Sequence, residues 1–123
     1  TGPQTLANHT IPTLKSAADK AGRDATRVIA ALPVCVTNDR EAALQRAAQV
    51  FVVYGQLPSY RAMLDKEGAA GPADIAIIGS ASEVADRIMA LAEIGVTDFA
   101  AVEFGATPDE VAETRAMVKS LLK

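Results

Sequence analysis

Aromatic residues are scarce in this sequence, and tryptophan is absent. They make up 4% of the 123 residues, as three phenylalanines and two tyrosines, whereas alanine alone occupies 25 positions. The core must therefore be built from Ala, Val, Leu and Ile, which allow helices to pack close together. A composition that is 50% hydrophobic and 22% charged is that of a folded globular protein and excludes a disordered or fibrous chain.

The sequence also has only one cysteine, no excess of positive charge and no long apolar run. The single cysteine excludes an intramolecular disulfide and predicts a cytoplasmic protein in a reducing compartment. The net charge of −3 argues against a nucleic-acid groove and against binding to an anionic membrane surface. The longest apolar run, residues 28–36, contains Pro33 and is far too short to span a bilayer. No secretion signal is visible at the start of the sequence.

The length of 123 residues suits one domain and is too short for two, so we expect residues 1–123 to form a single domain. The chain opens with Thr1-Gly2-Pro3, a turn signal that has no methionine before it. This start fits either a processed protein or a piece cut from a longer one.

Helical and extended patterns alternate along the chain. Residues 5–21 have apolar positions three and four apart and predict a helix that ends at Gly22, with Pro12 imposing a kink or a separate first turn. Residues 28–36 show no alternation and predict a strand buried on both faces, although Pro33 would remove one donor from a central strand. The remaining segments are helices at 38–54 and 57–68, a loop at 68–72, a short apolar run at 75–78, a helix at 80–95, a strand at 99–102 and a helix at 107–122.

This alternation predicts an α/β fold with parallel strands and right-handed crossover connections. Local caps support it, because Ser80 and Glu83 form a capping-box pair and Thr107 stands before Pro108 as a helix N-cap. A strand buried on both faces needs neighbours, and this chain offers few. The shortage favours a piece of a larger sheet.

Two tyrosines and an arginine surround the break between the two predicted middle helices. Tyr54, Tyr60 and Arg61 lie close to Gly55-Gln56-Leu57-Pro58, a break that could overhang a strand end and line a pocket. Arg61 could hold a carboxylate or a phosphate with both arms of its guanidinium. The alternative is that the tyrosines pack the helix pair and that Arg61 pairs with Asp65 one turn later.

Three turns could bind an anion, but catalytic equipment is otherwise missing. Thr1-Gly2-Pro3, Gly79-Ser80 and Gly105-Ala106-Thr107 each place small residues before a helix whose first N–H groups are free, the alternative being a plain turn and cap. No dinucleotide-binding motif, Walker motif, nucleophile elbow or metal-ligand spacing occurs. His9 is expected as a surface or packed ring, and Cys35 as inert core filler.

Five blocks of sequence carry a further signal. They read Thr-Gly-Pro-x-Thr-Leu-x-x-His-Thr-x-Pro-Thr-Leu at 1–14, Leu-Pro-Val-Cys-Val-Thr at 32–37, Tyr-Gly-Gln-Leu-Pro-Ser-Tyr-Arg-Ala-Met-Leu-Asp at 54–65, Gly-Ala-Ala-Gly-Pro-Ala-Asp at 68–74 and Gly-Val-Thr-Asp-Phe-Ala-Ala-Val at 95–102. Together they resemble the luciferase-like monooxygenase family, and more closely its actinobacterial oxidoreductases that use the deazaflavin coenzyme F-420. The resemblance spans essentially the whole chain, and the block at 54–65 is its most specific part.

The resemblance implies the C-terminal part of a (β/α)8 TIM barrel, since a full barrel takes about 250 residues. It would make residues 28–36 the seventh strand and 99–102 the eighth. The helix at 57–68 would belong to the insertion after strand seven, and residues 75–78 would be an extended lip segment that is not a barrel strand.

In such enzymes a hydride passes between the coenzyme and a small organic substrate. The resemblance assigns Thr1 and Gly2 to the loop that borders the coenzyme, and Tyr60 and Arg61 to the roof of the substrate pocket. It supplies no catalytic residue and no metal ligand, and His9 does not match the family's catalytic histidine.

The fragment is therefore expected to be inactive alone. Its bare strand edges should lead it to associate, most simply as a homo-oligomer. Two alternatives stay open: a related barrel enzyme that uses FMN, and a free-standing α/β module that binds a protein partner.

Overall fold

A computed structural model describes residues 1–122 of the chain. Its strands are β1 (Ile29–Val36), β2 (Ile77–Gly79) and β3 (Asp98–Glu103). Its helices are α1 (residues 3–20), α2 (Arg40–Val50), α3 (Val52–Gln56), α4 (Pro58–Glu67), α5 (Ala81–Glu93) and α6 (Pro108–Ser120), with a 3₁₀ turn at Pro72–Ile75. Within these described residues, no helix combines the length and the apolar character that crossing a bilayer requires.

The three strands form one parallel sheet in the order β2-β1-β3. β1 pairs with β3 from residue 29 to residue 34, but with β2 only from Val34 to Val36. The predicted α/β architecture with parallel strands is therefore confirmed. The expectation that residues 75–78 lie outside the sheet is wrong, because Ile77 and Ile78 are paired with Val34 and Cys35.

Helices cover one face of this sheet. Along β1, Ala30, Leu32 and Val34 are buried, whereas Ile29 and Ala31 are exposed. In the main core, these buried residues of β1 pack with apolar side chains of α1, α5 and the loop before β3: Leu6, Val84, Ile88, Leu91 and Val96. A second cluster, around Cys35 and Phe104, fills the space at the C-terminal end of β1. Burial on both faces, which the sequence predicts for the whole strand, is therefore limited to its last residues.

The other face of the sheet is bare along the first half of β1. Ile29 is 64% exposed and Val102 is 43% exposed. The register places Ala31 beside Ala100 and Pro33 beside Val102, so this face carries a continuous set of small and aliphatic side chains. Parallel sheets are normally covered on both faces, so this surface has the character of an unfinished core.

Pro33 lies in the middle of β1 without breaking it. The carbonyls of Val28 and Val34 accept N–H groups of the β3 segment, and alternate residues of a parallel strand bond to opposite neighbours. The missing N–H of Pro33 therefore faces the other edge, just before Val34, where pairing with β2 begins. Among residues 1–122, no strand lies beside β1 from 29 to 33 on that edge.

Pro12 deforms α1 instead of dividing it. The helix has α-helical turns at Pro3–Thr5 and Ile11–Lys20, with a π-helical stretch at Leu6–Thr10 between them. Proline lacks an N–H and crowds the carbonyl four residues earlier, and a π-turn is one way for a helix to absorb such a defect. Gly22, with φ of 61°, follows the end of α1 as predicted.

The middle helices differ from the prediction at one point. α2 ends at Val50, Phe51 departs from helical geometry, and α3 begins at Val52, whereas the sequence predicts an unbroken helix to Tyr54. Packing accounts for the break, since the Phe51 ring meets the buried Phe104 ring edge-on with centroids 5.6 Å apart. α4 lies where the sequence places it.

Candidate functional site

A cavity of about 580 Å³ runs along the unpaired edge of β1. This volume is typical of a small-ligand site. Its lining comes from the start of the chain, α1, β1, α3 and α4, and includes Thr1, Leu6, Leu14, Ile29, Pro33, Tyr54, Tyr60 and Met63. Arg27 is the one charged residue in the lining contributed by residues 1–122. The cavity therefore presents a mainly apolar surface.

Four of the five aromatic residues form a row that reaches this cavity. The row begins at Phe104, which is 6% exposed, and continues through Phe51 to Tyr54 and Tyr60, which are 43% and 40% exposed. The two tyrosine rings lie 4.9 Å apart. Both tyrosines therefore border the cavity, and they also pack the helix pair, as the alternative interpretation of the sequence has it.

Arg61 does not line the cavity and instead anchors the loop after α4. Its guanidinium donates to the carbonyls of Ala69 and Ala70 at 2.7 and 2.8 Å, and to the Asp65 carboxylate at 3.0 Å. All three guanidinium nitrogens have a partner, so no free pair of donors remains for a substrate anion. This geometry is the pairing with Asp65 that the sequence offers as the alternative.

Thr1 lines the cavity, whereas Gly2 lies against the Glu67 carboxylate. Glu67, the last residue of α4, accepts the N–H groups of Gln4 at 3.1 Å and of Thr5 at 2.6 Å. A Cβ at position 2 would overlap this carboxylate, which explains the glycine. Sequence reasoning missed Glu67, because no local pattern links it to residues at the start of the chain.

The other two candidate anion-binding turns are closed in the same way. Glu83 accepts the N–H of Ser80 at 2.8 Å, and Glu110 accepts the N–H of Ala106 at 2.7 Å. The hydrogen bonds from Ser80 lower the pKa of Glu83, which favours its ionised form. Each turn is therefore a capped helix start, and an incoming phosphate would meet a carboxylate there.

A second cavity, of about 570 Å³, lies between the C-terminal end of β1 and the starts of α5 and α6. Its lining includes Thr37, Asp39, Ser80, Glu110 and Glu113. The Thr37 hydroxyl donates to Glu110 at 3.0 Å. Three carboxylates in one small space repel anions, so this cavity is unsuited to phosphate.

The charge of Arg27 is already neutralised. Its guanidinium donates to both carboxylate oxygens of Asp98, and the Thr97 hydroxyl donates to the same carboxylate at 2.7 Å. The hydrogen bonds from Arg27 and Thr97 lower the pKa of Asp98 to about 2. The pair joins the N-terminal ends of β1 and β3, and it neutralises the one charged side chain that residues 1–122 contribute to the first cavity.

Cys35 and His9 lie away from the cavity. Cys35 is fully buried. Burial, with a smaller contribution from Glu110, raises the pKa of its thiol to about 11, so it stays protonated at neutral pH. His9 is exposed on the π-helical stretch of α1. Both residues occupy the unreactive positions that the sequence predicts.

The described residues suit the ring of a deazaflavin or flavin but not its phosphate group. The apolar lining and the paired tyrosines suit a flat, uncharged ring. At each of the three candidate turns a carboxylate, of Glu67, Glu83 or Glu110, accepts a main-chain N–H and would repel a phosphate group. The chain therefore offers one wall for a ring and its substrate, but no phosphate cradle at these turns.

Comparisons with known proteins agree with this geometry. The sequence model of a family described as luciferase-like monooxygenase matches residues 1–98. A solved structure, described as an F-420-dependent secondary alcohol dehydrogenase in complex with an F-420–acetone adduct, matches with a TM-score of 0.72 at 18% identity. The match covers 100% of this chain and 41% of that chain. At this identity it shows the fold, which is part of a TIM barrel. No curated protein is significantly similar to the chain.

Proposed function

We propose that this chain, which belongs to the luciferase-like monooxygenase family, forms the C-terminal part of an oxidoreductase barrel. In that barrel a hydride passes between coenzyme F-420 and a small organic substrate. The match of residues 1–98 to the family supports the oxidoreductase class. The fold shared with 41% of an F-420-dependent enzyme supports the coenzyme and the need for further residues.

The proposal rests on the observation that Thr1 and Tyr60 line the same cavity. The resemblance assigns Thr1 to the coenzyme loop and Tyr60 to the pocket roof, and both residues line the cavity beside β1. Gly2 and Arg61 act behind this surface, because Gly2 admits the Glu67 carboxylate and Arg61 fixes the loop after α4. We assign binding to Thr1 and Tyr60, and positioning to Gly2 and Arg61.

The chain's own residues would bind and orient the reactants. The rings of Tyr54 and Tyr60 offer a flat apolar surface, and the aliphatic lining excludes water from the reacting atoms. The hydroxyls of Thr1 and the tyrosines are the groups suited to hydrogen-bond a substrate oxygen. Bound F-420 would supply the hydride donor or acceptor. No histidine or carboxylate among residues 1–122 lines this cavity, so we expect the rest of the barrel to supply the proton-transfer residue.

FMN is the second candidate coenzyme. The matching family is described as monooxygenases, and flavins support oxygen chemistry. The two ring systems are similar in shape, so an apolar wall with two phenols accepts either. We rank F-420 first because the whole chain shares its fold with an enzyme that uses F-420.

The test is to express the complete reading frame that contains these residues and to supply F-420 or FMN with a panel of small alcohols and ketones. We expect substrate-dependent reduction or oxidation of F-420, and none with the 123-residue chain alone. In the complete product, Tyr60→Ala should raise KM and Tyr60→Phe should retain most activity. Turnover with FMN alone would favour the second candidate, and no turnover with either coenzyme would refute the function.

A further inference from the structure

Phe104 is the buried end of the row of four aromatic side chains that reaches the cavity. It follows β3 directly, and its N–H donates to the carbonyl of Val34 in β1 at 3.1 Å. Its side chain is 6% exposed and belongs to the second core cluster, together with the fully buried Cys35 and Ile78. Phe104 is therefore fixed to the sheet by its main chain and its side chain, behind the lining of the cavity.

Phe51 connects this fixed residue to the helices beside the cavity. Its ring meets that of Phe104 edge-on, with centroids 5.6 Å apart and planes at 89°. Its backbone, with φ of −102° and ψ of 12°, separates α2 from α3. The Phe51 ring also lies 6.3 Å from the ring of Tyr54, three residues later. The edge-on contact therefore fixes where α3 begins, and with it the place of the Tyr54 ring.

α3 needs this support because it is held by little else. It has only five residues, and none of them is buried. A helix of this length is not stable by itself, and Gly55 near its end lowers its helix propensity further. The Tyr54 side chain is 43% exposed, so its ring is oriented largely by its contacts with Phe51 and Tyr60.

We propose that Phe104 is a positioning residue for the tyrosine wall, by which we mean the rings of Tyr54 and Tyr60. These rings lie 4.9 Å apart and border the cavity. Phe104 acts on them through Phe51, because loss of its ring releases Phe51 and allows α3 to move. The two tyrosines then no longer present one surface. The assignment of this surface to substrate binding rests on the proposed function.

The first measurement is near-UV circular dichroism of the 123-residue chain. Because the chain has two tyrosines and no tryptophan, its tyrosine signal arises from Tyr54 and Tyr60 alone. This signal requires fixed side-chain packing, so Phe104→Leu should lower it by about half and leave the far-UV spectrum unchanged. Ile78→Val is the matched control. It shortens a fully buried side chain of the same core cluster outside the aromatic row, so it should keep the tyrosine signal.

The second measurement uses the complete reading frame in the assay for the proposed function. Phe104→Leu should raise KM for the organic substrate about fivefold and leave kcat nearly unchanged, as expected when a binding surface is lost. Ile78→Val should change neither constant. In a Tyr60→Ala background, Phe104→Leu should have little further effect on KM, because the wall that it positions is already lost. If the leucine variant does not fold, Phe104→Met replaces it, since methionine fills more of the space without a ring.

A folded Phe104→Leu chain with the tyrosine signal of the Ile78→Val control would overturn the proposal, because the aromatic row would then position nothing. An unchanged KM, or a rise that persists undiminished in the Tyr60→Ala background, would overturn it as well. The dichroism needs neither coenzyme nor turnover. Inactivity of the complete product would therefore refute the proposed function, while the dichroism still decides whether Phe104 positions the tyrosine wall.

Discussion

The rings of Tyr54 and Tyr60 lie 4.9 Å apart with an interplanar angle of 47°. These are the only two tyrosines in a chain that has no tryptophan. Because both rings line the cavity, the intrinsic fluorescence of the folded chain reports on the cavity roof alone. The pair also connects α3 to α4, so it should contribute to stability as well as to the site.

Replacing both tyrosines by alanine, singly and together, measures this contribution. We expect a coupling free energy of about 1 kcal/mol, as is typical of aromatic pairs beyond their burial. Urea denaturation followed by far-UV circular dichroism gives the free energies of unfolding. Tyr60→Phe is the control, because it keeps the ring contact and loses only the hydroxyl. A coupling close to zero would show that the rings do not interact in solution.

Arg61 should stabilise the protein mainly by anchoring the loop after α4, and less through its ion pair with Asp65. Arg61→Ala removes two bonds to main-chain carbonyls and the pair with Asp65, and we expect it to lower the free energy of unfolding by about 1.5 kcal/mol. Asp65→Ala removes only the exposed pair and should cost about 0.4 kcal/mol. Amide hydrogen exchange at residues 68–71 should accelerate in the arginine variant alone. Equal effects of the two variants would contradict this geometry.

Asp98 should make the fold sensitive to acid. Hydrogen bonds from Arg27 and Thr97 lower its pKa to about 2, from an ordinary value of 3.8. A carboxylate whose pKa is lowered on folding contributes stability above its unfolded pKa, and this contribution is lost as the pH falls from about 4 to about 2. Thermal melting in that range should therefore show a steeper fall in Tm for the original chain than for Asp98→Asn. Parallel curves for the two proteins would refute the assignment.

The unpaired edge of β1 and the bare face beside it predict that the isolated chain self-associates. Sedimentation velocity should show species larger than a monomer whose share grows with concentration. Ile29→Lys places a charge on the bare face, where the residue is 64% exposed, and should shift the chain toward monomer. Thr13→Lys, on the exposed side of α1, is the control that should change nothing. A monomer at all concentrations of the original chain would count against an open sheet.

The elements that local chemistry specifies could be predicted from the sequence. The capping box of Ser80 and Glu83, the left-handed Gly68 and the unbroken apolar run of β1 each contain their own structural signal. Three features lacked such a signal. β2 is only three residues long, so no periodicity reveals that it joins the sheet. The break at Phe51 depends on Phe104, and the π-helical stretch before Pro12 is a third response beside the kink and the separate first turn that the sequence predicts.

Some features of the candidate site could likewise be predicted from the sequence, and others could not. The sequence offered a pocket beside Tyr54 and Tyr60 as one of two interpretations, and the cavity borders both residues. It did not reveal that Glu67 closes the turn at Gly2, because the contact joins segments separated by more than sixty residues. Nor did it show that each of the three guanidinium nitrogens of Arg61 has a partner, since two of the acceptors are main-chain carbonyls, which every residue possesses.

Titration of F-420 into the isolated 123-residue chain, followed by the fluorescence of Tyr54 and Tyr60, tests whether these residues form only one part of a coenzyme site. We predict no saturable change at micromolar F-420, because the chain covers one side of the ring and its candidate phosphate turns are closed by Glu67, Glu83 and Glu110. Saturable binding with a micromolar Kd would contradict this result, since the chain would then hold a complete coenzyme site by itself.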